Sequence, residues 1–209
     1  MQQESRSAPV VHIVDDDDSV RTGLDILFRS VGHRTRGYRS AGEFLDARRE
    51  DELGCIVLDV RLPGTSGLVF QEQLLGLGIQ LPTILITGHG DIPMTVRAMK
   101  AGAVDFLAKP LREQDILDAV AAAIERDRVR RAAEKGASLT RDRFATLSPR
   151  EQQVMSLVAA GKMNKQVAGD LGLSVVTVKI HRGAAMRKMG ARSLADLVRM
   201  ADSLKVKEV

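Results

Sequence analysis

Four polar positions stand at the ends of short apolar runs, and their side-chain types fit one chemistry. Asp15 and Asp16 follow Val10–Val14, Asp59 nearly closes Cys55–Val60, Thr87 closes Thr83–Thr87, and Lys109 follows Val104–Ala108. Continuous apolar runs of this length read as strands buried on both faces. In an open parallel sheet, ligands sit beyond the carboxyl ends of the strands, so the four positions would meet although they are far apart in sequence. Carboxylates crowded in this way repel one another and need a cation, and oxygen ligands with places left for water favour Mg²⁺. Asp59 can attack a phosphoryl donor and become an aspartyl phosphate. The metal and Lys109 would neutralise charge on the transferring oxygens, and the Thr87 hydroxyl could bond one of them. A lone carboxylate in an apolar strand is costly, which sets Asp59 apart. Asp17 and Asp18 read as a solvated turn, and Cys55, the only cysteine, as a buried thiol.

The elements that must position these groups alternate along the chain. A weaker strand is expected at Arg34–Tyr38. Helical spacing recurs at Val20, Leu24 and Leu27 up to Gly32, and Ser40 with Glu43 forms a capping box for a helix through Leu45. Further helices are expected at Leu68–Leu75, about Pro93–Ala101, and from about Glu113 past Ile124. Five strands each followed by a helix predict an α/β, doubly wound, five-stranded parallel sheet of flavodoxin-like type over residues 10–126, after a polar tail at 1–9. Residues 127–140 read as a linker, helical at first and looser near Gly136. Residues 141–209 show no strand pattern and predict a small all-α domain, with helices at about 149–160, 164–171, 175–189 and 193–205. Ser148-Pro-Arg-Glu151 combines an N-cap, a proline at the first helical position and a capping-box Glu.

Charge divides along the same line. Residues 1–125 hold 13 Lys and Arg against 19 Asp and Glu, a net of −6, whereas residues 126–209 hold 18 against 8, a net of +10. An acidic half joined to a basic one fits a regulatory domain attached to a nucleic-acid binder. Aromatics at 3% with no Trp imply aliphatic cores and exclude a stacking platform for single strands. The polar N-terminus lacks an apolar signal core and no run is long enough to span a membrane, so the expected compartment is cytoplasmic.

Residues 10–125 resemble a response-regulator receiver, through Val14-Asp-Asp16, Leu58-Asp-Val-Arg-Leu-Pro-Gly64, Ile86-Thr-Gly-His-Gly-Asp91 and Lys100-Ala-Gly-Ala-Val-Asp-Phe-Leu-Ala-Lys-Pro110. The last two strings look like the NarL/FixJ subfamily. The resemblance implies phosphotransfer from a sensor histidine kinase to Asp59. It implies Mg²⁺ held by Asp16, Asp59 and the backbone carbonyl of Arg61, with Asp15 assisting. It further implies a cis Lys109–Pro110 bond and a switch pair, Thr87 and Phe106. Dimerisation on phosphorylation is expected through the fourth helix and fifth strand, near Val96, Met99, Lys100 and Phe106.

Residues 144–205 resemble the LuxR-type helix-turn-helix, through Leu147-Ser-Pro-Arg-Glu-Gln-Gln-Val-Met155, Gly161–Gln166 and Leu171-Gly-Leu-Ser-Val-Val-Thr-Val-Lys-Ile-His181. Asn164–Leu171 would support a recognition helix capped by Ser174, with Val178, Ala185 and Met189 facing inward. Val176, Lys179, Ile180 and Gly183 would face the major groove of a double-stranded operator, Lys179 reaching a base acceptor or phosphate and Ile180 a thymine methyl. Arg182, Arg187, Lys188 and Lys165 would meet phosphates, which position without specifying. Gly183 departs from the larger side chain common in the family. The resemblance implies a transcription regulator, leaning to an activator that engages RNA polymerase, and not an enzyme. Three competing readings remain: a phosphohydrolase built on Asp59, for which no cap domain is visible; a phosphorylation-independent DNA-binding regulator with a vestigial receiver; and a helical half that is a protein-interaction module, against which its net charge of +10 and Lys179 argue.

Overall fold

The structure is a computed structural model that describes residues 8–47 and 52–204; most of the polar tail, residues 1–7, lies outside the described residues. The chain divides into two compact units, residues 1–130 and 131–209.

The first unit is a five-stranded, all-parallel sheet of order β2-β1-β3-β4-β5, with β1 at Val10–Val14, β2 at Arg34–Tyr38, β3 at Gly54–Asp59, β4 at Thr83–Thr87 and β5 at Asp105–Ala108. Helix α1 (Asp18–Ser30) and the first turns of α5 (Glu113–Ala145) cover one face. Helices α2 (Ala41–Asp46), α3 (Gly67–Leu74) and α4 (Ile92–Lys100) cover the other. Covering on both faces is why β1, β3 and β4 are buried at every residue, and why their sequences run apolar without alternation. Strand β2 has a sheet neighbour on one side only and is polar and half-buried. Phe28, Ile13, Val57, Ile84 and Val120 fill the α1/α5 side; Phe44, Phe70, Leu58 and Leu85 fill the other.

Asp17 is exposed, as expected, and is also the N-cap of α1, its carboxylate accepting from the Ser19 and Val20 amides at 2.8 and 3.4 Å; those bonds hold its pKa below the usual carboxylate value. Two local expectations need correction. The stretch expected to loosen near Gly136 is helical throughout, because α5 continues to Ala145. One interior glycine costs about 1 kcal/mol, and the alanines and long straight side chains around it favour helix enough to outweigh that. The Ser40 cap is present, but Glu43 reaches back to the Arg39 amide, not to that of Ser40.

The second unit contains α6 (Pro149–Ala159), α7 (Asn164–Leu171), α8 (Val175–Met189) and α9 (Leu194–Ser203). Ser148 and Glu151 form the full reciprocal box at the start of α6. Gly172 ends α7 at φ +63°, a left-handed turn that glycine takes without steric cost. Ser174 then caps α8 by accepting from Thr177 N–H at 3.0 Å. Val154, Met155, Val167, Val178, Ala185, Met189 and Leu197 make one aliphatic core. No helix among the described residues is long and apolar enough to cross a membrane.

Candidate functional site

Parallel pairing brings the first set of residues together. Val14 pairs with Leu58, Asp59 with Ile86, and Thr87 with Ala108, so Asp15, Asp59, Thr87 and Lys109 emerge at one edge of the sheet. Carboxylate oxygens of Asp15, Asp16 and Asp59 lie within 4.8 Å of one another; Asp15 and Asp59 are buried and Asp16 is exposed. The Lys109 ammonium bridges two of them, 2.6 Å from Asp15 Oδ2 and 3.0 Å from Asp59 Oδ1. Asp15 Oδ1 accepts from Asp17 N–H at 2.9 Å, and Asp59 Oδ2 from Arg61 N–H at 2.8 Å. Burial raises the Asp59 pKa above the usual carboxylate value, against the opposing pull of Lys109. Burial alone would lower the Lys109 pKa, but its bonds to Asp15 and Asp59 together raise it. One ammonium faces three carboxylates, and the excess negative charge with an open side at Asp16 fits a hard divalent cation.

Thr87 is fully buried, and its hydroxyl is engaged with His89: it donates to the His89 carbonyl and accepts from the His89 amide, both at 3.2 Å. Phe106 is half-buried against the α2/α3/α4 side of the core. Gly90 keeps the Thr87 methyl and the Phe106 ring close, since a Cβ there would stand 3.0 Å from one and 2.8 Å from the other. Lys109–Pro110 is cis. Arg61 pairs with Ser66 in a short antiparallel bridge.

The sequence reading missed several supports. Gly67 lets the start of α3 press on the Asp59 backbone: a Cβ there would sit 2.1 Å from the Asp59 carbonyl oxygen. Only its place just after the Pro63-Gly64 turn hinted at such a contact. Arg21 donates to the Asp15 carbonyl and pairs with Asp18, which its sequence marks only as an ordinary helical charge. Buried Asp127 accepts from Gly54 N–H at 3.0 Å and pairs with Arg130 at 2.6 Å, fastening α5 to the start of β3.

In the second unit, α8 presents Val176 and Ile180 at 67% and 63% exposure beside exposed Lys179, while Val178, Ala185 and Met189 are fully buried. This strip of apolar and cationic side chains suits a groove rather than a core. Lys165 and Arg187 are also exposed. Two flanking cations have partners inside the domain. Arg182 donates to Asn164 Oδ1 at 3.2 Å. Lys188 pairs with Glu151 at 2.6 Å, and that bond, with the Ser148 amide, holds the Glu151 pKa below its usual value. The expectation that Lys188 meets phosphates did not include this strut between α8 and α6. Arg143, also missed, donates to the Met189 carbonyl at 3.0 Å.

Fold and pocket together define a receiver joined to a helix-turn-helix, and comparison with known proteins agrees. Residues 11–121 match the response regulator receiver domain, and residues 145–201 match the bacterial regulatory proteins of the luxR family. The chain belongs to the two-component response regulators of the NarL/FixJ subfamily, with a LuxR-type DNA-binding domain. It is similar to Nodulation protein W of Bradyrhizobium diazoefficiens, 58% identical over 201 residues that cover 96% of this chain and 88% of that protein. It is also similar to the transcriptional regulatory protein FixJ of Rhizobium meliloti, 45% identical over 91% of this chain and 94% of that one. Among solved structures, the response regulator StyR superposes with a TM-score of 0.82 at 49% identity, covering 93% of this chain and 98% of that one. The matches to a receiver domain and to the luxR family of regulatory proteins account for the Asp59 pocket as that of a response regulator, in place of the phosphohydrolase reading.

Proposed function

We propose that this chain is a phosphorylation-switched regulator of transcription whose phosphoacceptor is Asp59. The observation that carries this is the Lys109 ammonium bonded to both Asp15 and Asp59 beside exposed Asp16. Asp16, Asp59 and the Arg61 carbonyl would hold Mg²⁺, with Asp15 assisting; when bound, the ion supplies charge neutralisation for phosphoryl transfer. An Asp59 oxygen attacks phosphorus on the phosphohistidine of a sensor kinase, and the histidine nitrogen leaves with the bonding electrons. Lys109 stabilises the oxygens that gain charge.

Thr87 then exchanges its His89 contacts for a phosphoryl oxygen, and Phe106, packed over Gly90 against Thr87, follows it. The changed surface of α4 and β5 favours a second copy, with Val96 and Met99 at 45% and 46% exposure offering apolar contact beside Lys100. A dimer would set two α8 helices on successive half-sites. Val176, Lys179 and Ile180 read the major groove, while Lys165, Arg182, Arg187 and Lys188 flank the phosphates. Activation through RNA polymerase completes the reading.

The test is light scattering after size exclusion with Mg²⁺, before and after adding beryllofluoride, on wild type and Asp59→Asn. The expected outcome is a monomer-to-dimer shift in wild type alone. Operator binding of full strength without any shift would instead favour a phosphorylation-independent regulator with a vestigial receiver.

A further inference from the structure

The three carboxylates of the pocket are not held alike. Lys109 grips Asp15 and Asp59, at 2.6 and 3.0 Å, and each of the two also accepts a backbone N–H. The Asp16 carboxylate is exposed and accepts no hydrogen bond among the described residues. Its place beside the other two is therefore set by the backbone that carries it.

That backbone is the Asp15–Asp16 peptide, a rigid plane that includes the Asp15 carbonyl and the Asp16 N–H. The Asp15 carbonyl accepts from Arg21 Nη1, which reaches back from the first turn of α1. On its other side Asp15 donates its own N–H to the Tyr38 carbonyl of β2 at 3.1 Å. Arg21 is built into the fold: its side chain is 12% exposed, and its stem runs beside Gly37 of β2, where a Cβ would stand 3.6 Å from Arg21 Cδ. Its carboxylate partner among the described residues, Asp18, is 71% exposed. Covering a guanidinium is costly, and an ion pair with so solvated a partner offsets little of that. What the burial does secure is the carbonyl bond.

We propose that Arg21 is a positioning residue for the metal: by holding the Asp15–Asp16 peptide it aims the Asp16 carboxylate at the site shared with Asp59. This rests on the reading of Asp16 as a Mg²⁺ ligand. Lysine is a poor substitute, because one ammonium does not span the carbonyl and Asp18 as a guanidinium fork does. Charge by itself would act in the opposite direction. A cation near the site repels Mg²⁺, so removing it would tighten binding if charge were all that mattered. The sign of the change separates the two effects.

The probe is Mg²⁺, titrated into the ¹⁵N-labelled full chain and followed by the amide shifts of Asp16 and Val60. Wild type, Arg21→Met and Arg21→Lys are compared, with urea denaturation of each in metal-free buffer. Arg21→Met should bind Mg²⁺ about tenfold more weakly, as when a group that orients a metal ligand is removed. Arg21→Lys should also bind more weakly than wild type. A Kd in Arg21→Met equal to or tighter than that of wild type would overturn the proposal; with a lower urea midpoint, it would mark Arg21 as a brace for the fold alone. If Arg21→Met does not fold, an unchanged Kd in Arg21→Lys overturns it instead. No saturable shifts in wild type would sink the metal site and the proposal with it, whereas equal binding by all three chains would sink the proposal alone.

Discussion

Replacing Lys109 with Met keeps the unbranched stem and removes only the ammonium, so it isolates what that charge does. Asp15 and Asp59, whose side chains are 1% and 6% exposed, lose partners at 2.6 and 3.0 Å. At an effective dielectric constant of about 20, each pair is worth about 6 kcal/mol of Coulomb energy before desolvation is counted. Removing one partner of a buried pair costs about 3–5 kcal/mol. Lys109 keeps 22% of its own side chain in solvent, and each aspartate retains a backbone N–H bond. The expected loss is therefore about 2–3 kcal/mol in metal-free buffer. At a urea slope of about 2 kcal/mol/M, the receiver transition should fall by about 1 M, read by far-ultraviolet circular dichroism. Saturating Mg²⁺ should narrow the gap, because the variant's carboxylates have lost their competing cation. Tenfold tighter binding would return about 1.4 kcal/mol. A loss under about 0.5 kcal/mol, or a gap that Mg²⁺ leaves unchanged, would refute the view that these carboxylates depend on a cation.

The Glu151 carboxyl is held below its usual value by Lys188 and by the Ser148 amide, so its contribution is present above about pH 4.5 and lost as pH falls through the folded pKa. Glu151→Gln should lower the stability of the second unit by about 1 kcal/mol at neutral pH, with the difference shrinking in acid; a constant difference from pH 7 to 3 would count against it. Lys179→Ala should reduce the salt slope of duplex binding by about 0.9 if it neutralises a phosphate. Lys188→Met should instead cost stability, about 1 kcal/mol, and move that slope less; a full loss of slope in Lys188→Met with unchanged melting would reverse the two roles. Gly67→Ala places a Cβ where the Asp59 carbonyl stands, so α3 must shift. A loss of about 1–3 kcal/mol is expected by urea denaturation, and wild-type stability would show that the backbone there gives way freely.

What the sequence determined was local or periodic in origin. Runs such as Val10–Val14 and Cys55–Leu58 announce strands covered on both faces, and Ser148, Glu151 and Ser174 announce helix starts, because each signal lies within a few residues of its effect. Charge partition and the two family motifs mark the two halves for the same reason. Lys109 meeting Asp15 and Asp59 was legible from the strand ends. Tertiary structure alone decided other long-range partners: Lys188 reaching Glu151 across 37 residues and Asp127 reaching Gly54 across 73 depend on helix packing, which no spacing in the chain encodes. Gly67 was invisible for a related reason: a residue without a side chain leaves no pattern, and its importance lies in the Asp59 backbone that folding brings against it.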